Sequence, residues 1–238
     1  MSNDAKSLPH YQLNPNAKNP MTLIPTIQTE SIDEVQQKLD EYQKMTLPKK
    51  PTHFQIDIND GFFTDNFSVQ PFDLSRINWH GYTHEYHLLV DHPDEYLGDV
   101  VESGATTVIA QIEHMPDRQN FIDTAHQLGL KVGLALDLYT PISELTKNEL
   151  QAVDIILLMS YKAGHSGPAF NPLVLEKIKE LRHSGFDKTI EIDGGVNSDN
   201  AASLIQAGAT SLAVNSSLWH NGTVAENLKA LISATEQE

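Results

Sequence analysis

Two rhythms alternate along this chain. Short runs of aliphatic and β-branched residues end in polar or small residues. Between them lie stretches whose apolar residues recur at helical spacing. The first run is Met21 to Ile27, ending Ile24-Pro25-Thr26. Ser31 to Gln43 follows, with Ile32, Val35 and Leu39 on one face and Asp33 and Glu34 in the first turn. Phe54 to Ile58 predicts a second strand, with Gln55 and Asp57 on one face and Phe54, Ile56 and Ile58 on the other. The loop Asn59-Asp60-Gly61-Phe62-Phe63 and the stretch Thr64 to Pro71 lead to a third strand, His84 to Val90. His92-Pro93 opens a helix whose buried stripe is Tyr96, Leu97, Val100 and Val101, stopped at Gly104.

The alternation continues with a strand from Thr106 to Ile112, a helix from Pro116 to Leu128 ending at Gly129, and a strand from Lys131 to Leu138. A short helix is expected at Ile142 to Asn148, then a sixth strand, Ile155 to Ser160, apolar throughout as a parallel strand buried on both faces should be. The loop Tyr161 to Phe170 leads to a helix with Asn171 as cap and Pro172 at its first position. That helix turns Leu175, Ile178 and Leu181 inward and ends near Gly185. Thr189 to Ile192 is the seventh strand, Asn200 to Ala207 its helix, closed by Gly208. Ser211 to Asn215 is the eighth strand and Thr223 to Ile232 the last helix. Strictly alternating β and α units imply a parallel sheet, and eight of them a closed one. The expected fold is α/β, a single (β/α)8 TIM barrel over residues 21–238. Residues 1–20, polar and rich in Asn and Pro, read as an N-terminal extension outside it.

Composition narrows the partners. The chain has 238 residues, 16 Lys and Arg against 32 Asp and Glu, and a net charge of −16. That balance argues against a nucleic-acid surface. A small phosphorylated ligand, which needs only local N–H donors, remains compatible with it. There is no cysteine, so any metal would rest on His, Asp, Glu or amide ligands. No apolar run has the length of a membrane span, and the first residues lack the apolar core of a secretory signal, so the expected compartment is the cytoplasm.

Candidate chemistry gathers at the predicted C-terminal strand ends, where such barrels carry their sites. The stretch Glu191-Ile192-Asp193-Gly194-Gly195-Val196-Asn197 presents a carboxylate followed by two glycines, which let backbone N–H groups approach an anion. An ordinary strand-to-helix turn accounts for Asp-Gly equally well. Ser211-Leu212-Ala213-Val214-Asn215-Ser216-Ser217 ends a neighbouring strand in small polar residues. Thr26, Gln55, Asp57, His87, Gln111, Ser160, Asp193, Asn215 and Ser216 all fall at strand ends. Asp57, His87 and Asp193 come from three strands around one axis. They suit a divalent metal, or proton removal from one face of a substrate and return to the other. Taken singly, each has a structural alternative, as helix cap or buried histidine.

The segments Phe54 to Phe63, His87-Leu88-Leu89-Val90, Leu157-Leu158-Met159-Ser160 and Glu191 to Val196 resemble, in order and spacing, the ribulose-phosphate 3-epimerase family. The likeness runs from about Thr22 to Leu231. It implies a sugar-phosphate 3-epimerase acting on a small phosphorylated ketose, ribulose 5-phosphate or a relative. Asp57 and Asp193 would be the acid/base pair. Asp57, His87 and Asp193 would hold one divalent metal ion (Zn, Mn or Fe) that stabilises an enediolate, with Gln55 as a fourth candidate ligand. The phosphate would fall to Thr26, Gly164, Gly167, Gly194, Gly195, Asn215 and Ser216. Homo-oligomers are compatible with the sequence but not specified by it.

The departures from the family pattern lie at the site. Gln55 stands for a histidine ligand, Asn59 and Leu89 for methionines, Gln111 for a histidine and Asn215 for a glycine. The loop after strand six reads Lys162-Ala163-Gly164-His165-Ser166-Gly167-Pro168 instead of the family's Asn-Pro-Gly-Phe-Gly-Gly-Gln. Lys162 is the one basic residue expected near the site. A sister chemistry, decarboxylation of β-keto sugar phosphates, needs an Asp-x-Lys-x-x-Asp run that Asp57 lacks, because Asn59 takes the lysine's place. The competing reading is a non-catalytic sugar-phosphate-binding barrel with a degraded metal site.

Overall fold

The computed structural model describes residues 21–163 and 170–236. Among them, eight strands pair in parallel and in sequence order. They are β1 (Thr22–Ile27), β2 (His53–Asn59), β3 (Thr83–Leu89), β4 (Thr107–Gln111), β5 (Lys131–Leu136), β6 (Ile155–Met159), β7 (Thr189–Asp193) and β8 (Ser211–Val214). β8 pairs back onto β1, with Thr22 opposite Ser211 and Ile24 opposite Ala213, and this seam closes the barrel. The helices are α1 (Ile32–Lys44), α2 (Pro71–Leu74), α3 (Leu97–Glu102), α4 (Arg118–Gln127), α5 (Lys147–Ala152), α6 (Leu173–His183), α7 (Ala201–Ala207), α8 (Ser216–Trp219) and α9 (Val224–Thr235). The expected TIM barrel is therefore the fold observed. No helix among the described residues is long and apolar enough to cross a membrane.

Strand alternation sorts side chains into two environments. On β2, Phe54, Ile56 and Ile58 face outward and pack with Val35, Leu39 and Tyr42 of α1 in the layer between strands and helices. The interior is divided. Toward β4, β5 and β6 it is filled by a separate apolar cluster of Leu89, Ile109, Ala135, Ile155, Leu157 and Met159. Gly133 belongs to this packing: a Cβ there would lie 2.9 Å from Ile109 Cγ1 and 3.2 Å from Ile155 Cβ. Toward β7, β8, β1, β2 and β3 the interior is polar, with Gln55, Asp57, Glu85, His87, Glu191, Asp193 and Ser211 all buried.

Low in this polar half, Glu85 and Glu191 face each other. Burial pushes both carboxyls up, Glu85 to about 7, and each stands within hydrogen-bonding reach of the other. Glu85 Oε2 is 3.0 Å from His53 Nε2, and Ser211 Oγ donates to Glu191 Oε2 at 3.0 Å. The remaining oxygens, Glu85 Oε1 and Glu191 Oε1, have no other partner among the described residues. One proton shared between the carboxyls relieves both the charge and the missing bond.

Several expectations shift. The helix expected at Ile142 to Asn148 is two pieces, a 3₁₀ turn at Ile142–Glu144 and then α5. The break is set by Thr146, whose hydroxyl accepts from Glu149 N while the Glu149 carboxylate accepts from Thr146 N. This reciprocal cap starts a new helix. Val101 is exposed and only Leu97 and Val100 of α3 are buried, since the preceding turn, Pro93–Tyr96, is 3₁₀ and rotates the stripe. Asn171 does accept from Leu173 N, but α6 begins at Leu173, so Pro172 precedes the helix. Residues 1–20, Gly164 and Gly167 lie outside the described residues.

Candidate active site

β2 and β3 run in register, so Asp57 sits opposite His87 at one level of the barrel, and Asp193 at the end of β7 reaches the same level from across it. Asp57, His87 and Asp193 are buried, and each offers a ligand atom within 4.8 Å of the others. His87 Nδ1 is 3.2 Å from Asp193 Oδ2 and 3.5 Å from Asp57 Oδ1. Burial alone would push the imidazole down, but hydrogen bonds and charge from Asp193 and Asp57 outweigh it and lift His87 to about 10. Asp57 is pushed up, first by burial and then by the Asp193 charge. The sequence-predicted trio is thus brought together in space.

Gln55 completes the group. Its Nε2 donates to Asp57 Oδ1 at 2.8 Å and to Asp193 Oδ2 at 3.0 Å, while its Oε1 is buried without a partner among the described residues. On the far side of the imidazole, Gln111 Nε2 lies 3.0 Å from His87 Nε2, and Gln111 Oε1 is likewise buried and unpartnered among the described residues. Both amides carry their orphan oxygen one half-turn from a useful position. A half-turn of Gln111 gives His87 Nε2–H an acceptor. A half-turn of Gln55 aims an oxygen between the two carboxylates, where a cation would need it. The donor set of two carboxylates, one imidazole and one amide oxygen fits a divalent cation, with the amide tilting preference toward harder ions.

Above this group opens a cleft of about 230 Å³, lined at its inner end by Asp57, Leu89, Met159, Tyr161 and Asp193. Its outer wall holds Gly194, Gly195, Asn215 and Ser216. Both glycines take positive φ, +106° and +60°, and a Cβ on Gly194 would lie 2.7 Å from the Tyr161 ring. Ser160, at the end of β6, hydrogen-bonds through its hydroxyl to the Gly194 carbonyl and fixes that turn. Ser216 opens α8, and Trp219 Nε1 donates to Thr26 O at 2.7 Å, docking α8 on β1. Thr26 itself is fully buried, its hydroxyl directed to Ile24 O at 3.4 Å, and it does not line the cleft.

Among the described residues, the basic ones lining this cleft are Lys38 from α1 and His220 after α8, with Gln28 and Glu34 beside them. Lys162, the one basic residue expected near the site, is not among the lining. Lys38 and His220 were missed because neither falls at a strand end. Helical spacing marks Lys38 only as a polar position next to Leu39.

With this geometry in view, comparison with known proteins decides the family. The sequence profile described as the ribulose-phosphate 3 epimerase family matches residues 23–219. The chain belongs to the ribulose-phosphate 3-epimerase family. Among curated members, the Synechocystis sp. ribulose-phosphate 3-epimerase is 30% identical over 190 residues, covering 77% of this chain and 82% of that protein. The Escherichia coli ribulose-phosphate 3-epimerase is 32% identical over 177 residues, covering 70% of this chain and 76% of that one. Among solved structures, a 3-hexulose-6-phosphate synthase superposes with a TM-score of 0.64 at 14% identity, over 90% of this chain and 99% of that one, a likeness of fold alone. Like other members of this epimerase family, the chain is an isomerase of the class acting on carbohydrate phosphates.

Proposed function

We propose that the chain is a sugar-phosphate 3-epimerase, acting on D-ribulose 5-phosphate or a related ketose phosphate by proton transfer between two aspartates. The observation that supports this most is the pair of buried carboxylates, Asp57 and Asp193, at the inner end of a cleft whose outer end carries Gly194, Gly195 and Ser216. A ketose phosphate laid along that cleft puts its phosphate against backbone N–H groups and its C3 between the carboxylates. One aspartate takes the C3 proton, and the electron pair moves onto the C2 oxygen. The other returns a proton to the opposite face, inverting the centre, and the two have exchanged protonation states.

Asp57, His87 and Asp193 would hold a divalent cation, with the Gln55 amide oxygen as fourth ligand. When bound, it supplies positive charge to the oxygens that become negative as C3 is deprotonated. With its amide turned by half a turn, Gln111 would accept from His87 Nε2–H and keep the ring aimed at the carboxylates. Tyr161 and Met159 wall the inner end and limit water there. Among the phosphate contacts, Gly194, Gly195, Asn215 and Ser216 face the cleft.

The test is solvent deuterium incorporation at C3 of D-ribulose 5-phosphate, followed by proton NMR with and without added divalent metal. Exchange is expected in the wild type. Asp57→Asn and Asp193→Asn should each lower it by ~10²-fold or more with the fold intact by circular dichroism. Full exchange in either variant would remove that aspartate from the mechanism. No exchange with any metal or ketose phosphate would leave the non-catalytic binding barrel as the reading.

A further inference from the structure

The outer end of the cleft holds a group that the acid/base chemistry does not use. Lys38 projects from α1, and its side chain is only 16% exposed, low for a lysine on a helix surface. Its Nζ meets the Glu34 carboxylate at 2.7 Å and lies 5.4 Å from the centre of the Trp219 ring. Trp219 in turn is fixed by its bond to Thr26 O. No other side chain or carbonyl among the described residues hydrogen-bonds Nζ, which has three N–H donors. Glu34 is held from behind by the Thr29 hydroxyl, which donates to Oε2 at 2.5 Å. His220 stands on the same wall, in the same cleft lining as Glu34 and Lys38.

Backbone N–H groups of a Gly-Gly turn and a four-residue helix offer a phosphate partial charges only. The protein as a whole carries −16 and repels it. A fixed lysine at the same end of the cleft supplies what those groups lack.

We propose that Lys38, assisted by His220, anchors the phosphate of the substrate, and that Glu34 is the carboxylate which holds Lys38 in place and competes with that phosphate for it. This rests on the sugar-phosphate reading of the cleft and names the side chains that select for a phosphorylated ligand. Glu34 keeps the ammonium aimed into the cleft. A phosphate arriving against Gly195 and Ser216 takes up the unused N–H donors of Lys38. Glu34 pulls the other way, by like charge and by occupying one donor.

Opposite signs in two variants test this. The probe is inorganic phosphate, its dissociation constant measured by calorimetry and by thermal shift on the full chain. Lys38→Met should weaken binding by about tenfold or more, the loss of a charge-assisted hydrogen bond. Glu34→Gln should tighten it by about threefold, since the amide leaves Lys38 free and carries no charge. His220→Asn should weaken it less than Lys38→Met does. Lys179→Met, on the outer face of α6, serves as control and should change nothing. With D-ribulose 5-phosphate, Lys38→Met should raise KM and leave kcat nearly unchanged.

If Lys38 and Glu34 form only a stabilising helix pair, both variants move the melting temperature the same way and phosphate binding stays at the wild-type value. That result overturns the proposal, as does a wild type that binds no phosphate. Wild-type C3 exchange with undiminished phosphate binding in Lys38→Met removes the anchor and leaves the epimerase. Loss of phosphate binding in Lys38→Met without C3 exchange in the wild type keeps the anchor and removes the epimerase.

Discussion

Two amides decide how this site differs from a simple cluster of acids and imidazoles. Gln55 bridges both carboxylates through Nε2, and Gln111 stands behind His87. Each leaves a buried oxygen unpartnered, a cost of about 1–3 kcal/mol apiece until something turns the amide. A cation between Asp57 and Asp193 would turn Gln55. It would also fix the imidazole tautomer that lets Gln111 accept. Gln111→Leu should therefore lower metal affinity by about 10–100-fold, the usual effect of removing the partner behind a ligating histidine. Gln55→His should raise it, most for zinc. Competition with a chromogenic chelator reads both. Gly194 belongs to this scale too. Gly194→Ala strains a residue at φ +106° and drives a methyl into Tyr161, so activity should fall even where metal affinity holds. The sequence displays Asp57, His87 and Asp193 openly, because strand alternation assigns their face and strand ends assign their level. It cannot display the Gln55 bridge, which joins residues 138 positions apart. Lys38 was hidden for another reason: nothing in helix periodicity says which polar position overlooks a cleft.

Elements were legible wherever one signal dominated. β6, apolar from Ile155 to Met159, and α7, stopped by Gly208 at φ +118°, appear where the pattern puts them. Competing signals blurred the region between β5 and β6. Ile142 to Asn148 has helical composition, but Thr146 and Glu149 form a capping box that restarts the helix. Thr146→Ala should cost about 1 kcal/mol by urea denaturation and fray α5, leaving the Asp57–His87–Asp193 group untouched. β3 carries a second device. His84 stacks on Trp79, with ring centres 3.7 Å apart, and its Nε2 has no partner among the described residues. Burial holds its pKa down to about 3. The unfolded chain binds this proton near pH 6.5 and the folded one near 3. Stability from His84 is thus whole above pH 6.5 and drains as pH falls toward 3, by up to about 1.4 kcal/mol per pH unit. His84→Phe keeps the stacking and should flatten that part of the acid limb.

At the scale of the whole molecule, the barrel interior is apolar on one side and polar on the other, and the two halves tolerate change differently. Gly133→Ala adds a methyl against Ile109 and Ile155 in the apolar half, where the packing has no slack. It should cost about 1–3 kcal/mol. The polar half holds the proposed acid/base group, and it straddles the seam at which β8 meets β1. Asp57 and His87 come from β2 and β3, the second and third strands after the seam, and Asp193 from β7, the second strand before it. Trp219 reaches across to Thr26 O. An opened seam therefore has no assembled Asp57–His87–Asp193 group, whatever else is folded. Joining the first strand to the last is also the most remote pairing in the chain, the kind that loop entropy delays. Turnover becomes a clock for the final event of folding. In a Trp79→Phe background the remaining tryptophan, Trp219, should change its emission in the same kinetic phase in which activity returns, after most of the helical signal has recovered.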